Sequence, residues 1–139
     1  MRSHFLLDTN VFVHWVNGAK GSDLIEQRLF SVPRERLHTS LITVFEISRM
    51  VEKARVSSRA LKALEQSLGM VNVVHMTEQI AALGGSLSGA MANRGITMSV
   101  PDALIAATAM STHYTLITDN VKDFKHVPGI MIENWRVEP

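Results

Sequence analysis

The chain is 139 residues long, which fits one domain spanning residues 1–139 with one substantial core. Apolar residues make up 46% and charged residues 19%, a globular composition rather than a disordered one. The formal net charge of +1 argues neither for nor against nucleic acid, and the absence of cysteine excludes disulfides and thiolate metal sites.

At the amino end, Asp8 interrupts any long apolar run, so no secretory leader is expected. No stretch reaches the roughly 18 uninterrupted apolar residues that a membrane span needs. A cytoplasmic protein with no membrane association is the expectation.

Phe5, Leu6 and Leu7 form a short apolar run without a period, which predicts a strand buried on both faces. Asp8 ends it. Val11 to Val16 predicts a short helix that stops near Asn17-Gly18. Gly21-Ser22-Asp23 offers caps for a second helix, with Leu24, Ile25 and Leu29 turned inward and Pro33 as its end. Leu37 to Leu41 reads as a second strand.

Thr43-Val44-Phe45-Glu46 has the T-x-x-E form of a capping box opening a helix to about Arg55. Ser57 or Ser58 caps the next helix, where Leu61, Leu64 and Leu68 repeat at helical spacing and Gly69 stops it. Val71 to His75 is a β-branched run and predicts a third strand. Thr77 begins a long helix to Asn93, with Ile80, Leu83, Leu87 and Met91 on one stripe. Gly84, Gly85 and Gly89 inside it read as sites of close packing, because each helical glycine costs roughly 1 kcal/mol against alanine. They are not a phosphate loop, since neither GxGxxG nor Gly-Lys-Ser/Thr is present.

Pro101 lies in the first turn of an almost wholly apolar helix, Asp102 to about Met110, which should be buried. Tyr114 to Thr118 predicts the fourth strand, with Asp119-Asn120 directly after it. Ile130 to Ile132 is a last short strand. The tail from Glu133 either packs back through Trp135 or lies exposed. Strands alternating with helices of ten or more residues indicate an α/β fold, with helices on both faces of a mainly parallel sheet of about four to five strands.

Four carboxylates share one kind of position. Asp8 and Asp119 each follow a strand directly, and Glu46 and Asp102 lie in the first turns of helices. Singly, each has a structural explanation: Asp8 as an N-cap, Glu46 in the capping box, Asp102 on the helix dipole, Asp119 as a turn residue. Together they would crowd one cleft at the carboxyl edge of the sheet, where open α/β folds bind ligands. Like charges so placed raise each other's pKa unless a cation neutralises them. An oxygen-only set without cysteine favours Mg²⁺ or Mn²⁺. Such a site suits attack of water on a phosphodiester.

Histidine offers no i, i+4 metal pair, and no Gly-x-Ser-x-Gly elbow supports a serine nucleophile. A phosphatase with an aspartyl phosphate after the first strand needs a second aspartate two residues on, where Asn10 stands. Basic residues cluster at Arg49, Lys53, Arg55, Arg59 and Lys62. They are either a solvated helix face or a grip on a phosphate backbone beside the cleft. The competing reading for the whole chain is a non-catalytic interaction module whose acids are only caps.

Four segments in order resemble the motifs of PIN-domain proteins, and most closely those of the VapC toxins of prokaryotic toxin–antitoxin pairs. They are Leu6-Leu7-Asp8-Thr9-Asn10, Thr43-Val44-Phe45-Glu46, Pro101-Asp102-Ala103-Leu104-Ile105-Ala106, and Leu116-Ile117-Thr118-Asp119-Asn120 running on to Asp123-Phe124. The likeness runs nearly end to end, including Val127-Pro128-Gly129-Ile130 and Glu133-Asn134-Trp135. It implies a PIN-like three-layer fold and a Mg²⁺- or Mn²⁺-dependent endoribonuclease that cuts structured RNA, often tRNA. It also implies a homodimer and a cognate VapB-like antitoxin. By residue, it implies Asp8, Glu46 and Asp102 as the acidic core and metal ligands. The fourth acid is assigned to Asp119, with Asp123 as second choice, because Asn120 stands where many members carry it. Thr9, Asn10, Thr118 and Asn120 would orient carboxylates or waters.

Overall fold

Phe5–Leu7 (β1) lies at the centre of the sheet in the computed structural model, which describes residues 2–55 and 58–139. Helices Thr9–Val16 (α1) and Ser22–Ser31 (α2) lead to Leu37–Ser40 (β2). Leu41–Ala54 (α3) and Arg59–Ser67 (α4) lead to Asn72–Val74 (β3). Glu78–Asn93 (α5) and Val100–Thr112 (α6) then cross back to Thr115–Ile117 (β4). Val121–Phe124 (α7) precedes Ile132–Glu133 (β5). The strand order is β3-β2-β1-β4-β5, and every pair is parallel. This is the PIN-like α/β architecture that the sequence resemblance implies.

Handedness decides which face each helix covers. Parallel crossovers are right-handed, so strands added to one side of β1 carry their helices on one face, and a strand added to the other side carries its helices on the opposite face. Side chains along β1 alternate between the two layers so made. Phe5 and Leu7 pack with Val11, Phe12, Ile25, Ile47 and Leu64 of α1–α4. Leu6 packs with Leu116 and with Ile80, Met91, Ile105 and Phe124 of α5–α7. Burial on both faces explains why Phe5–Leu7 has no polar alternation. The tail packs back: Trp135 is buried against the Phe5 ring, edge-on at 5.1 Å.

Several boundaries differ from expectation. The strand expected over 37–41 ends at Ser40, those expected over 71–75 and 114–118 pair over their central residues only, and the last strand starts two residues later than expected. Helix α3 starts at Leu41, and the Ser40 hydroxyl accepts from the Thr43 amide at 3.2 Å. The capping box at Thr43–Glu46 is therefore not formed: Ser40 ends β2 and caps α3 at once, so no loop separates them. Ser58 caps α4 through the Leu61 amide, while the alternative cap, Ser57, lies outside the described residues. Among the described residues no helix is long and apolar enough to cross a membrane.

Close packing explains one glycine of α5, not three. A Cβ on Gly84 would stand 3.0 Å from Leu104 Cδ2 and 3.4 Å from the Ala103 carbonyl oxygen, at the contact with α6. Gly85 and Gly89 are exposed and face open space. Replacing either with alanine should raise stability by about 0.5–1 kcal/mol through helix propensity alone. Gly84→Ala should gain nothing, and thermal melts of the three variants check the contrast.

Candidate active site

The chain reverses its direction of sheet growth between β1 and β4, and the residues just beyond those strands form the crevice where such folds bind ligands. Asp8 continues β1 by donating its amide to the Ile117 carbonyl at 2.9 Å. Its side chain is buried and fully engaged. Oδ1 accepts from the Thr9 amide at 2.8 Å, which caps α1, and Oδ2 accepts from the Thr118 hydroxyl at 2.9 Å. The N-cap reading of Asp8 thus holds, and α1 starts at Thr9 rather than Val11.

Thr9 reaches across to α3. Its hydroxyl donates to Glu46 Oε1 at 2.7 Å and lies 3.0 Å from the Thr43 hydroxyl, which donates to it because Thr9 has only one proton to give. Thr43 is a site-orienting residue that the sequence reading missed by assigning it a cap. On the other side, Ser99 caps α6 by accepting from the Asp102 amide at 3.2 Å, which sets Asp102 in the first turn. Beyond β4, the Asn120 amide donates to the Thr118 hydroxyl at 3.0 Å, and the Asn120 side chain donates to Asp123 Oδ2 at 2.6 Å.

These acids share one electrostatic field. Burial pushes the Asp8 carboxyl up from 3.8 to about 6, against the hydrogen bonds from Thr118 and Thr9, and the negative charges of Asp102 and Glu46 add to the rise. Asp102 is also raised, first by burial and then by Asp123 and Glu46, with its hydrogen bond to Ser99 opposing. Among the described residues, none of Asp8, Glu46, Asp102 and Asp123 is in an ion pair with a lysine, arginine or histidine.

Asp119 is held by two basic side chains. Its Oδ2 accepts from Arg136 Nη1 at 2.8 Å and lies 3.2 Å from His14 Nδ1. On either side of it, the Thr118 hydroxyl donates to Asp8 and the Asn120 side chain donates to Asp123. The acid that bears on Asp102 is Asp123. Asn10 is exposed, and among the described residues its side chain makes no hydrogen bond. Arg49, Lys53, Arg55, Arg59 and Lys62 are all exposed. Arg49 stands about 4.5 Å along α3 from Glu46 and Lys53 about 10 Å, while Arg55, Arg59 and Lys62 lie at the α3–α4 junction.

Carboxylates crowded together without a cationic partner are the donor set of a hard divalent ion. Among the described residues, no three such side chains stand close enough to hold one ion jointly. The protein would therefore supply one or two carboxylates at a time and leave the remaining positions to water, as Mg²⁺ sites commonly do.

Comparison with known proteins shows the family. The PIN domain family profile matches residues 5–130. A tRNA(fMet)-specific endonuclease VapC of Salmonella typhimurium is 29% identical over 131 residues, covering 94% of this chain and 97% of that protein. Ribonuclease VapC2 of Rickettsia felis is 26% identical over the same coverage. Among solved structures, VapBC2 from Rickettsia felis bound to a promoter DNA fragment superposes with a TM-score of 0.83 at 26% identity, covering 94% of this chain and 98% of that one. DNA-bound VapBC from Salmonella typhimurium gives 0.82 at 29%, covering 96% and 99%.

The buried acid has a measurable cost. A carboxyl held at about 6 in the fold and near 3.8 when unfolded favours the folded state below pH 3.8, and that advantage is lost as pH rises through 6. The full difference is about 3 kcal/mol. Asparagine can keep both hydrogen bonds, to the Thr9 amide and to Thr118. In chelator at pH 7, Asp8→Asn should therefore melt several degrees above the wild type, and the gap should close below about pH 4. Melting curves across that range check the sign.

Proposed function

The chain belongs to the PIN-domain family, and we propose that it acts as one nuclease domain over residues 1–139, a Mg²⁺- or Mn²⁺-dependent endoribonuclease of the VapC toxin type. The observation that carries this reading is that the charges of Glu46, Asp102 and Asp123 add to the cost of ionising Asp8 or Asp102, while among the described residues no cation is paired to any of the four. Asp8 and Asp102 would be the principal ligands, with Glu46 and Asp123 completing the negative wall. When bound, the cation supplies charge stabilisation at the scissile phosphate and a more acidic water.

The chain's own residues do the orienting. Thr118 and the Thr9 amide hold the two oxygens of Asp8, so neither can rotate freely. Thr43 hands its proton to Thr9, whose own proton then has one destination, Glu46. Asn120 ties Asp123 to the turn that carries Thr118. Arg49 and Lys53 extend from Glu46 along α3 as a basic strip for RNA phosphates, with Arg55, Arg59 and Lys62 at its far end. The names of its relatives support a structured RNA, tRNA above all, as substrate, and the VapBC assemblies support a VapB-like antitoxin as partner. A cytoplasmic homodimer completes the reading.

Purified chain should cleave tRNA with Mg²⁺ or Mn²⁺ and stop in EDTA. Asp8→Asn and Asp102→Asn should each lower kcat/KM by about 100-fold or more, since removing even the partners behind a metal ligand costs about 10–100-fold. Asp123→Asn should cost at least about tenfold more than Asp119→Asn, because an asparagine amide oxygen in the latter variant can still accept from Arg136. Folded, metal-supplied chain that leaves all tRNAs intact would point instead to an interaction module whose acids only cap helices.

A further inference from the structure

We propose that Arg136 is a positioning residue for the acidic site: through Asp119 it sets the β4–α7 turn, so that Thr118 and Asn120 hold Asp8 and Asp123. Its catalytic consequence rests on the nuclease reading above, whereas its structural half does not.

The tail reaches this turn by an independent route. Trp135 is buried on Phe5, and the Thr118 amide donates to the Glu133 carbonyl at 3.1 Å. Arg136 then divides its guanidinium between two elements. Nε donates to the Lys20 carbonyl at 2.7 Å, in the α1–α2 turn, and Nη1 donates to Asp119 Oδ2 at 2.8 Å. Its own amide donates to Asn134 Oδ1 at 2.9 Å. Gly21 makes this crossing fit. It sits at φ +89°, and any Cβ there would run into the Arg136 carbonyl. His14 of α1 closes the cluster at 3.2 Å from the same Asp119 oxygen.

Asp119 is thus pinned by Arg136 and His14, while its two neighbours bind other acids. Thr118 gives its proton to Asp8, and Asn120 gives one to Asp123. The Asn120 amide bonds the Thr118 hydroxyl and thereby leaves that proton directed at Asp8. An exposed ion pair adds little to stability, but this one is partly buried, 27% and 20% exposed, and is joined to three segments distant in sequence. Its effect is on geometry: a small misplacement of an orienting group lowers turnover far more than it lowers stability.

The test uses the full chain and four variants: Arg136→Met, Arg136→Lys, Asp119→Ala and the Asp119→Ala/Arg136→Met pair. Amide hydrogen exchange in metal-free protein reads the turn directly. Arg136→Met should speed exchange of the Asn120 and Asp123 amides by about tenfold while α5 amides stay as in the wild type. In tRNA cleavage, kcat should fall by about tenfold with KM within about twofold, Arg136→Lys should recover most of it, and the double variant should be no worse than either single one. Unchanged exchange at Asn120, or kcat within about twofold of wild type, overturns the proposal. A raised KM at constant kcat overturns it too, in favour of direct RNA contact. Should Arg136→Met fail to fold, Asp119→Ala gives the same readouts. Should the wild type fail to cleave, the nuclease reading falls, and exchange at Asn120 still decides whether Arg136 sets the turn.

Discussion

A buried carboxylate with no cation beside it organises the carboxyl edge of this sheet. Asp8 receives two good hydrogen bonds, from the Thr9 amide and the Thr118 hydroxyl, and its pKa still rises to about 6. Desolvation outweighs both bonds, and the neighbouring acids add to it. A fold selected for stability alone would place asparagine or an apolar residue there. A charge kept at such a cost fits the proposed metal site, where a bound cation would offset it.

Topology supplies the crowding and hydroxyls supply the order. Because β1 is central and the chain crosses over it between β3 and β4, the ends of β1 and β4 meet the starts of α3 and α6. Thr9, Thr43 and Thr118 then act as adaptors between carboxylates. Each has one proton, so each bond made on one side fixes the direction of the next. Serine caps at Ser40 and Ser99 hold α3 and α6 in the positions from which Glu46 and Asp102 reach the crevice.

Much of this is legible in the residues. The unpatterned Phe5–Leu7 run suits a doubly buried strand, and Pro101 followed by an alanine-rich apolar stretch suits a buried helix; both form. Other features depend on where a side chain points, which spacing alone does not resolve. Asp119 and Asp123 both follow β4, and their partners differ in ways that spacing does not show: Asp119 pairs with Arg136, while the charge of Asp123 bears on Asp102. Thr43 and Glu46 match a capping box, but Ser40 caps first because the strand runs straight into the helix. At four residues, α7 is too short to show a period. Gly85 and Gly89 look like packing glycines and lie in the open, since only Gly84 falls on the α6 side of α5.

The central claim is that these acids are poised for a divalent cation. Isothermal titration of Mn²⁺ into metal-free chain near pH 6, in buffers of different ionisation heat, addresses it most directly. Binding accompanied by proton release is the predicted result, because Asp8 is partly protonated at that pH and a ligand must be ionised. Asp8→Asn should weaken the affinity and abolish the release. Absence of Mn²⁺ binding at millimolar concentration, or binding that Asp8→Asn leaves unchanged, would contradict it.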